Sequence, residues 1–545
     1  MSDYDLALTK GFVIDGAGNP WFRADVGIKT GRIVRIGEVS SSRVERTIDA
    51  SGLVVAPGFI DIHSHSDMSA IVYPGAESKI CQGVTTEVTG NCGVSLAPVN
   101  RKNLAMLRTY LDSFLGKLSD FQPWSDRLGE FYGHLADKGM SVNFVPLIGH
   151  GTVRIAVLGF DMREPTQGEL DEMKAYVEEG MRDGAFGLST GLIYPPGVFA
   201  KTDEIVELAK VAAVRGGIYT SHIRGEGDTL RESVEEAIEI GNRAKISVQI
   251  SHIKTTGRRN WGKSGEIIQL IESARMNGID VTADQYPYVA GQTGLYALLP
   301  PWAQEGGIER IVERLQDSAT RERMKTDFAK GIPGWQNWVA DVGWENIMVV
   351  QASGKNKPLE GKRITEIAKG RGKPPAESVF DLLVEEGGRA SMVVFYGSED
   401  DIKAFMKQPW VMIGSDQNGI KPGEGPLGGK QHPRAYGTFP RVLGKYVREE
   451  RVLSIEDAIR KMTGLPAQKL GLRDRGLIRE NMWADIVTFD PLRIIDKATY
   501  ENPSLYAEGV THVIVNGVVV YEGGNFTGAR PGKVLQRLSC DRMCP

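Results

Sequence analysis

The chain has 545 residues, 41% hydrophobic and 25% charged, an ordinary balance for a globular protein in water. That length exceeds one ordinary hydrophobic core, so a large domain with at least one accessory unit is expected. A formal net charge of -4 disfavours nucleic acid as the main partner, and the four cysteines are too few to staple the chain.

No segment approaches the ~20 apolar residues that span a bilayer. The start, Met1-Ser2-Asp3-Tyr4-Asp5, is acidic and has no apolar signal core, so a reducing cytoplasm is the expected compartment.

From the N-terminus, residues 5–14, 25–29 and 33–36 alternate apolar and polar side chains between turns at Gly16-Ala17-Gly18 and Thr30-Gly31. The same pattern returns at 484–490 and 513–520, which predicts one small β-sandwich built from both ends of the chain. Two separate sheets are the alternative.

The middle alternates strand-like apolar runs with amphipathic helical stretches such as 203–215 and 228–244. The runs lie at 58–63, 84–89, 142–148, 186–190, 218–222, 246–252, 279–285 and 411–416. This alternation implies an α/β fold, and eight runs is the number that closes a (β/α)8 TIM-like barrel. An open doubly wound sheet is the rival, but no GxGxxG fingerprint follows any run.

Residues 295–353 break the rhythm with Trp302, Trp335, Trp338 and a charged helical stretch at 308–330. They read as a helical insertion near the seventh strand, a candidate lid. The expected organisation is then 1–56 with 476–529 as the sandwich, 57–475 as the barrel, and 530–545 as a tail. Cys540 and Cys544 in that tail are read as part of a frayed end rather than a metal site.

The most informative stretch is Phe59-Ile60-Asp61-Ile62-His63-Ser64-His65-Ser66-Asp67. Residues two apart on a strand point the same way, so His63 and His65 can grip one ion at the mouth of a barrel. Other ligand types close other runs: Cys92 in Thr89-Gly90-Asn91-Cys92-Gly93, His222 after Thr220-Ser221, His252 after Ile250-Ser251, and Asp416 after Gly414-Ser415. The chain has eight histidines, and four of them fall at these ends.

Zinc takes neutral imidazole, thiolate and carboxylate ligands, and a catalytic zinc keeps one position open. Asp416 is the candidate general base, since a carboxylate beside a metal can move protons between water and a leaving amine. His150 is a candidate for the pocket wall or for a residue that supports the ligands from behind. Cys81 reads as a core residue, and His134, His432 and His512 as surface or packing residues.

Read together, these stretches resemble the amidohydrolase superfamily and, within it, the N-acyl-D-amino-acid deacylases. The specific part of the match is Gly90-Asn91-Cys92-Gly93, Ser189-Thr190-Gly191-Leu192-Ile193-Tyr194-Pro195-Pro196 and His432-Pro433-Arg434-Ala435-Tyr436-Gly437-Thr438-Phe439-Pro440-Arg441. Ser221-His222-Ile223-Arg224, Ser251-His252-Ile253-Lys254 and Gln285-Tyr286-Pro287-Tyr288 continue it.

The resemblance implies a zinc held tightly by Cys92, His222 and His252, with His63 and His65 at a second, weaker metal position. It also implies that Arg434, Lys254 and Tyr286 recognise the substrate's α-carboxylate, with Tyr288 as an alternative to Tyr286. Many relatives bridge two metals with a modified lysine from the fourth strand. Here that strand ends in Ser189-Thr190-Gly191, and Cys92 looks like the substitute.

The expected activity is zinc-dependent hydrolysis of a small-molecule N-acyl-D-amino acid to a carboxylate and a free D-amino acid. Hydrolysis of cyclic amides, deamination, or a non-catalytic barrel scaffold are the rivals. Neither nucleic acid nor membrane is an expected partner, and a homo-oligomer is left open. The side-chain preference is not readable, although Arg224 or a residue of the insertion is a candidate partner for an acidic side chain.

Overall fold

The computed structural model describes residues 2–115, 124–423 and 429–537. Eight strands run parallel around a barrel. The first four are Phe59–Asp61, Val84–Thr89, Asn143–Pro146 (continued by Ile148–Gly149) and Gly187–Gly191. Ile218–His222, Ser247–Ile250, Val281–Gln285 and Val411–Ile413 complete it.

The eighth strand returns to the first through a parallel bridge between Ser64 and Gln417, with Asp416 N–H donating to His63 O at 2.7 Å. All eight strands coincide with the runs expected from sequence. Their residues are buried on both faces, which is why they read as continuous apolar runs rather than alternating ones.

The covering helices follow the helical period. Leu230–Ala244 buries Leu230, Ser233, Val234, Ala237, Ile240, Gly241 and Ala244, a stripe three and four residues apart that faces the strands.

The two ends of the chain share one sheet of nine strands, joined where Val54–Pro57 pairs antiparallel with Ile486–Phe489. It has its own core, which includes Leu6, Leu8, Val26, Ile28, Ile48, Ile486 and Ile514. The apolar stretch at 513–520 is folded in two, as Val510–Val515 and Val518–Glu522. Asn516 and Gly517 turn between them with φ of +49° and +80°, the Asn-Gly signature of a tight hairpin.

The excursion between the seventh and eighth strands is longer than residues 295–353 and is not only helical. The helices Gly307–Gln316, Ser318–Lys330 and Pro375–Glu385 pack against an antiparallel sheet of Ala290–Gly294, Ser391–Phe395 and Ile347–Gln351. Short apolar strands look alike in sequence. What separates these from barrel strands is long-range antiparallel pairing, which no local pattern encodes.

Of the tail, residues 532–537 run along the third barrel strand. Phe144 N–H donates to Lys533 O at 2.8 Å and Leu535 N–H to Phe144 O at 2.7 Å. Arg537 N–H donates to Gly184 O, so the chain is still tied down at that point. Cys540 and Cys544 lie outside the described residues.

Beneath the seam of the first and eighth strands sits a fully buried ion cluster. Lys79 Nζ reaches Asp61 Oδ2 at 2.6 Å, Ser415 Oγ at 2.7 Å, Gln417 O at 2.9 Å and Glu87 Oε2 at 3.2 Å. Asp61 in turn accepts from Ser415 N–H at 2.9 Å. Burial works against the ammonium, but Asp61 and Glu87 outweigh it and raise its pKa.

Lys79→Met should therefore strand two carboxylates without a counter-charge, at a cost of roughly 3–5 kcal/mol. Urea denaturation followed by tryptophan fluorescence reads this. A midpoint equal to that of the native chain would mean that the cluster contributes nothing to closure.

Candidate active site

At the C-terminal mouth of the barrel the strand ends bring two donor groups together: His63, His65, Cys92 and Asp416, and Cys92, His222 and His252. Within each group the donor atoms lie within 4.8 Å of one another, and Cys92 belongs to both. Its Sγ is 3.3 Å from His63 Nε2 and 3.6 Å from His252 Nε2. Asp416 Oδ1 lies 3.0 Å from His65 Nε2 and 3.4 Å from His63 Nε2.

The backbone is bent to achieve this. Cys92, His252 and Asp416 have φ of +52°, +35° and +52°, a left-handed conformation that costs non-glycine residues about 1–3 kcal/mol. Each ends or follows a strand and turns its side chain inward over the mouth.

Glycines make the turn at Cys92 possible. A Cβ on Gly191 would lie 2.2 Å from Cys92 O, and one on Gly93 would lie 2.8 Å from Gly191 N. The loops after the second and fourth strands can therefore touch backbone to backbone. The fourth strand carries no lysine to the mouth. Its Ser189 hydroxyl instead bonds Gly90 O and accepts from Gly93 N–H, which braces the Cys92 loop.

Electrostatics prepare the Cys92 thiol and His222, though not every imidazole, to bind a metal. Burial pushes the Cys92 thiol up, but the charge of His63 and the close approach of the His222, His252 and His63 rings outweigh it and hold the thiol well below its ordinary range. Burial, then the neighbouring His252, lowers His222 and keeps that imidazole neutral. Neither ring nitrogen of His222 has a hydrogen-bond partner among the described residues, although both are buried. Burial works against charge on His63 and His252, yet Cys92 and the neighbouring carboxylates raise both, so these rings would release a proton on binding a borderline-soft divalent ion such as zinc.

Asp416 is held ionised. Burial would raise its carboxyl, yet Arg434, then His63 and the hydrogen bond of His65, keep it well below the usual carboxylate range. Arg434 Nη1 lies 2.8 Å from Asp416 Oδ2, and its guanidinium stacks over Tyr286 at 4.4 Å. The Lys254 ammonium approaches the same ring at 5.6 Å. Arg434 lines the cavity that holds the donors, whereas Lys254 and Tyr286 line the adjoining pocket on the far side of His252.

Tyr286 faces this cluster, whereas Tyr288 points to Asp496 and lies under Arg441. His432 seats the arginine: its Nδ1 accepts from Arg434 N–H at 3.0 Å, and its Nε2–H donates to Ala290 O at 2.9 Å. His150 does not line the cavity; it is fully buried against Glu204 at 2.8 Å.

Several residues at the site carry no strong signal in sequence. Asp284, in the seventh strand, accepts from His63 Nδ1 at 3.2 Å, from His252 N–H at 2.8 Å and from Gln249 Nε2 at 2.8 Å. It thereby turns His63 Nε2 toward Cys92. Gln292, Thr293, Gly294 and Ser391 from the inserted sheet wall the cavity, and Thr293 bonds Tyr194 Oη at 2.9 Å. Asp284 precedes the quoted Gln285-Tyr286 pair, so a strand-end search could have found it. The wall residues depend on the insertion's fold.

A model of the amidohydrolase family matches residues 46–521. The chain is 38% identical to a D-aminoacylase of Alcaligenes xylosoxydans xylosoxydans, covering 98% of each chain. It is 35% identical to an N-acyl-D-glutamate deacylase of the same organism, covering 98% of this chain and 96% of the relative. Among solved structures it resembles the N-acyl-D-glutamate deacylase of Bordetella bronchiseptica complexed with zinc and a phosphonate inhibitor. That match has a TM-score of 0.82 and 33% identity, over 98% and 99% of the two chains.

Cys92→Ala should abolish tight retention of a divalent ion, because both donor groups lose their shared member. His63→Ala should spare the Cys92, His222 and His252 group. Elemental analysis after gel filtration reads both. Native metal content in Cys92→Ala would remove the thiolate from the site.

Proposed function

The chain belongs to the amidohydrolase family, and we propose that it hydrolyses N-acyl-D-amino acids to a carboxylate and a free D-amino acid, with zinc as its metal. The observation that carries this reading is the shared thiolate of Cys92 facing the same cavity as an ionised Asp416 and Arg434, with Lys254 and Tyr286 in the adjoining pocket that His252 also lines. A metal needs the first, amide hydrolysis the second, and an amino-acid carboxylate the third.

An ion held by Cys92, His222 and His252 would supply Lewis acidity to the amide carbonyl. Arg434 and Lys254 offer donors to the α-carboxylate and fix the acyl carbon beside Asp416. Asp416 takes a proton from water as the oxygen adds to that carbon. It returns the proton to nitrogen as the C–N bond breaks, which releases the amine and leaves the new carboxylate.

The substrate's side chain is uncharged in this reading. Among the described residues lining the cavity, Arg434 is the one Lys or Arg, and in this reading it serves the α-carboxylate. Arg224 is committed elsewhere, to Glu236 at 2.9 and 3.0 Å and to Val198 O and Ala200 O. An acidic side chain would lose a charged hydrogen bond of about 1.5–3 kcal/mol.

N-acetyl-D-leucine or N-acetyl-D-methionine should accordingly exceed N-acetyl-D-glutamate by one to two powers of ten in kcat/KM, with the L-enantiomers poorer still. Turnover of L-substrates at the same rate would sink the D-specific reading. Asp416→Asn should keep its metal and lose ~10²–10⁴ in kcat. Arg434→Ala should cost about one to two powers of ten in kcat/KM on carboxylate substrates. It should cost far less on an analogue whose α-carboxylate is an amide, and Arg434→Lys should recover only part of the loss.

A further inference from the structure

Glu226 lies four residues after His222 and is fully buried between the metal donors and the cationic cluster. Its Oε1 is 2.5 Å from Lys254 Nζ, 3.1 Å from His252 Nδ1 and 3.7 Å from His222 Nε2. Lys254 Nζ is also 2.8 Å from His252 Nδ1.

These distances set a conflict. His252 presents Nε2 toward Cys92, so as a ligand through that atom it carries its proton on Nδ1. Nδ1–H and the ammonium are then both donors, 2.8 Å apart, and Glu226 Oε1 is an acceptor within reach of each.

The carboxylate is not free to drift. Glu226 N–H donates to Gln336 Oε1 of the insertion at 3.0 Å, and its carbonyl accepts from Thr256 N–H at 2.8 Å, in the loop that carries Lys254. Burial alone would raise its carboxyl, but the charge of Lys254, then the His222 and His252 side chains, hold it below the usual carboxylate range.

We propose that Glu226 is a positioning residue that serves two partners at once. It fixes the metal-binding tautomer of His252, and it anchors the Lys254 ammonium where the substrate's carboxylate arrives. The inference rests on the deacylase reading above. It adds that metal retention and carboxylate recognition share one acceptor, so they separate only when the acceptor's charge is changed without its shape.

Glu226→Gln keeps an oxygen for Nδ1–H and removes the charge that holds Lys254. Glu226→Ala removes both. For Glu226→Gln, zinc affinity measured by competition with a chromophoric chelator should stay within about threefold of native, while KM for an N-acyl-D-amino acid rises about tenfold. Glu226→Ala should weaken zinc ~10–100-fold, the usual loss when a ligand's hydrogen-bond partner is deleted. In a Lys254→Met background, Glu226→Gln should leave KM where Lys254→Met alone puts it.

Equal zinc loss in both variants would overturn the proposal. So would native zinc affinity in Glu226→Ala, or a KM effect of Glu226→Gln that persists without Lys254. If Glu226→Ala does not fold, Glu226→Met, which also removes both carboxylate oxygens but keeps the bulk, takes its place in the zinc measurement. If the native enzyme turned over no N-acyl-D-amino acid, the deacylase reading would fail, and the zinc measurements would still test the hold on His252.

Discussion

Asp416 N–H donates to His63 O at 2.7 Å and His65 N–H to Gln417 O at 3.2 Å, and through these two bonds the eighth strand is tied to the first. The side of the mouth that holds His63, His65 and Asp416 depends on that seam. It brings Asp416, from late in the chain, against His63 and His65 from its start, and through Asp416 it also seats Arg434. The Lys79 cluster lies directly under it and joins Asp61 of the first strand, Glu87 of the second and Ser415 of the eighth. A barrel left open here would keep Cys92, His222 and His252 together but lose Asp416.

Burying this much charge is expensive unless each group is paired, and the pairing is local. Lys254 answers to Glu226, Arg434 to Asp416, and Lys79 to Asp61 and Glu87. The left-handed backbone at Cys92, His252 and Asp416 adds strain that the rigid strands must absorb. Tight barrel packing below thus stabilises an arrangement above that would not persist alone.

The barrel was legible because a buried parallel strand writes itself as an apolar run, and a ligand at its end breaks that run with a polar residue. Cys92, His222, His252 and Asp416 were found that way, and the structure brings all four into one mouth. Arg434, Lys254 and Tyr286 came from motif resemblance, since no spacing argument links residue 434 to residue 254.

What stayed hidden had long-range causes. The inserted antiparallel sheet draws its pairing from segments far apart, so Gln292 and Ser391 could not be placed at the cavity. Asp284 and Glu226 belong to no motif, and only the fold surrounds them with His63, His252 and Lys254. Left-handed φ at a single cysteine or histidine is marked too weakly in sequence to be placed there.

The sheet shared by both ends carries a consequence for how the chain is made. Val54–Pro57 pairs with Ile486–Phe489, so a strand translated early has no neighbour on that edge until most of the protein has left the ribosome. At ~5–20 residues per second that wait is on the order of tens of seconds. During it an apolar strand edge lies open to pairing with any other nascent chain. For such a topology yield in the cell is governed less by final stability than by how long that edge is shielded, and slow translation or a holding chaperone should matter more than temperature.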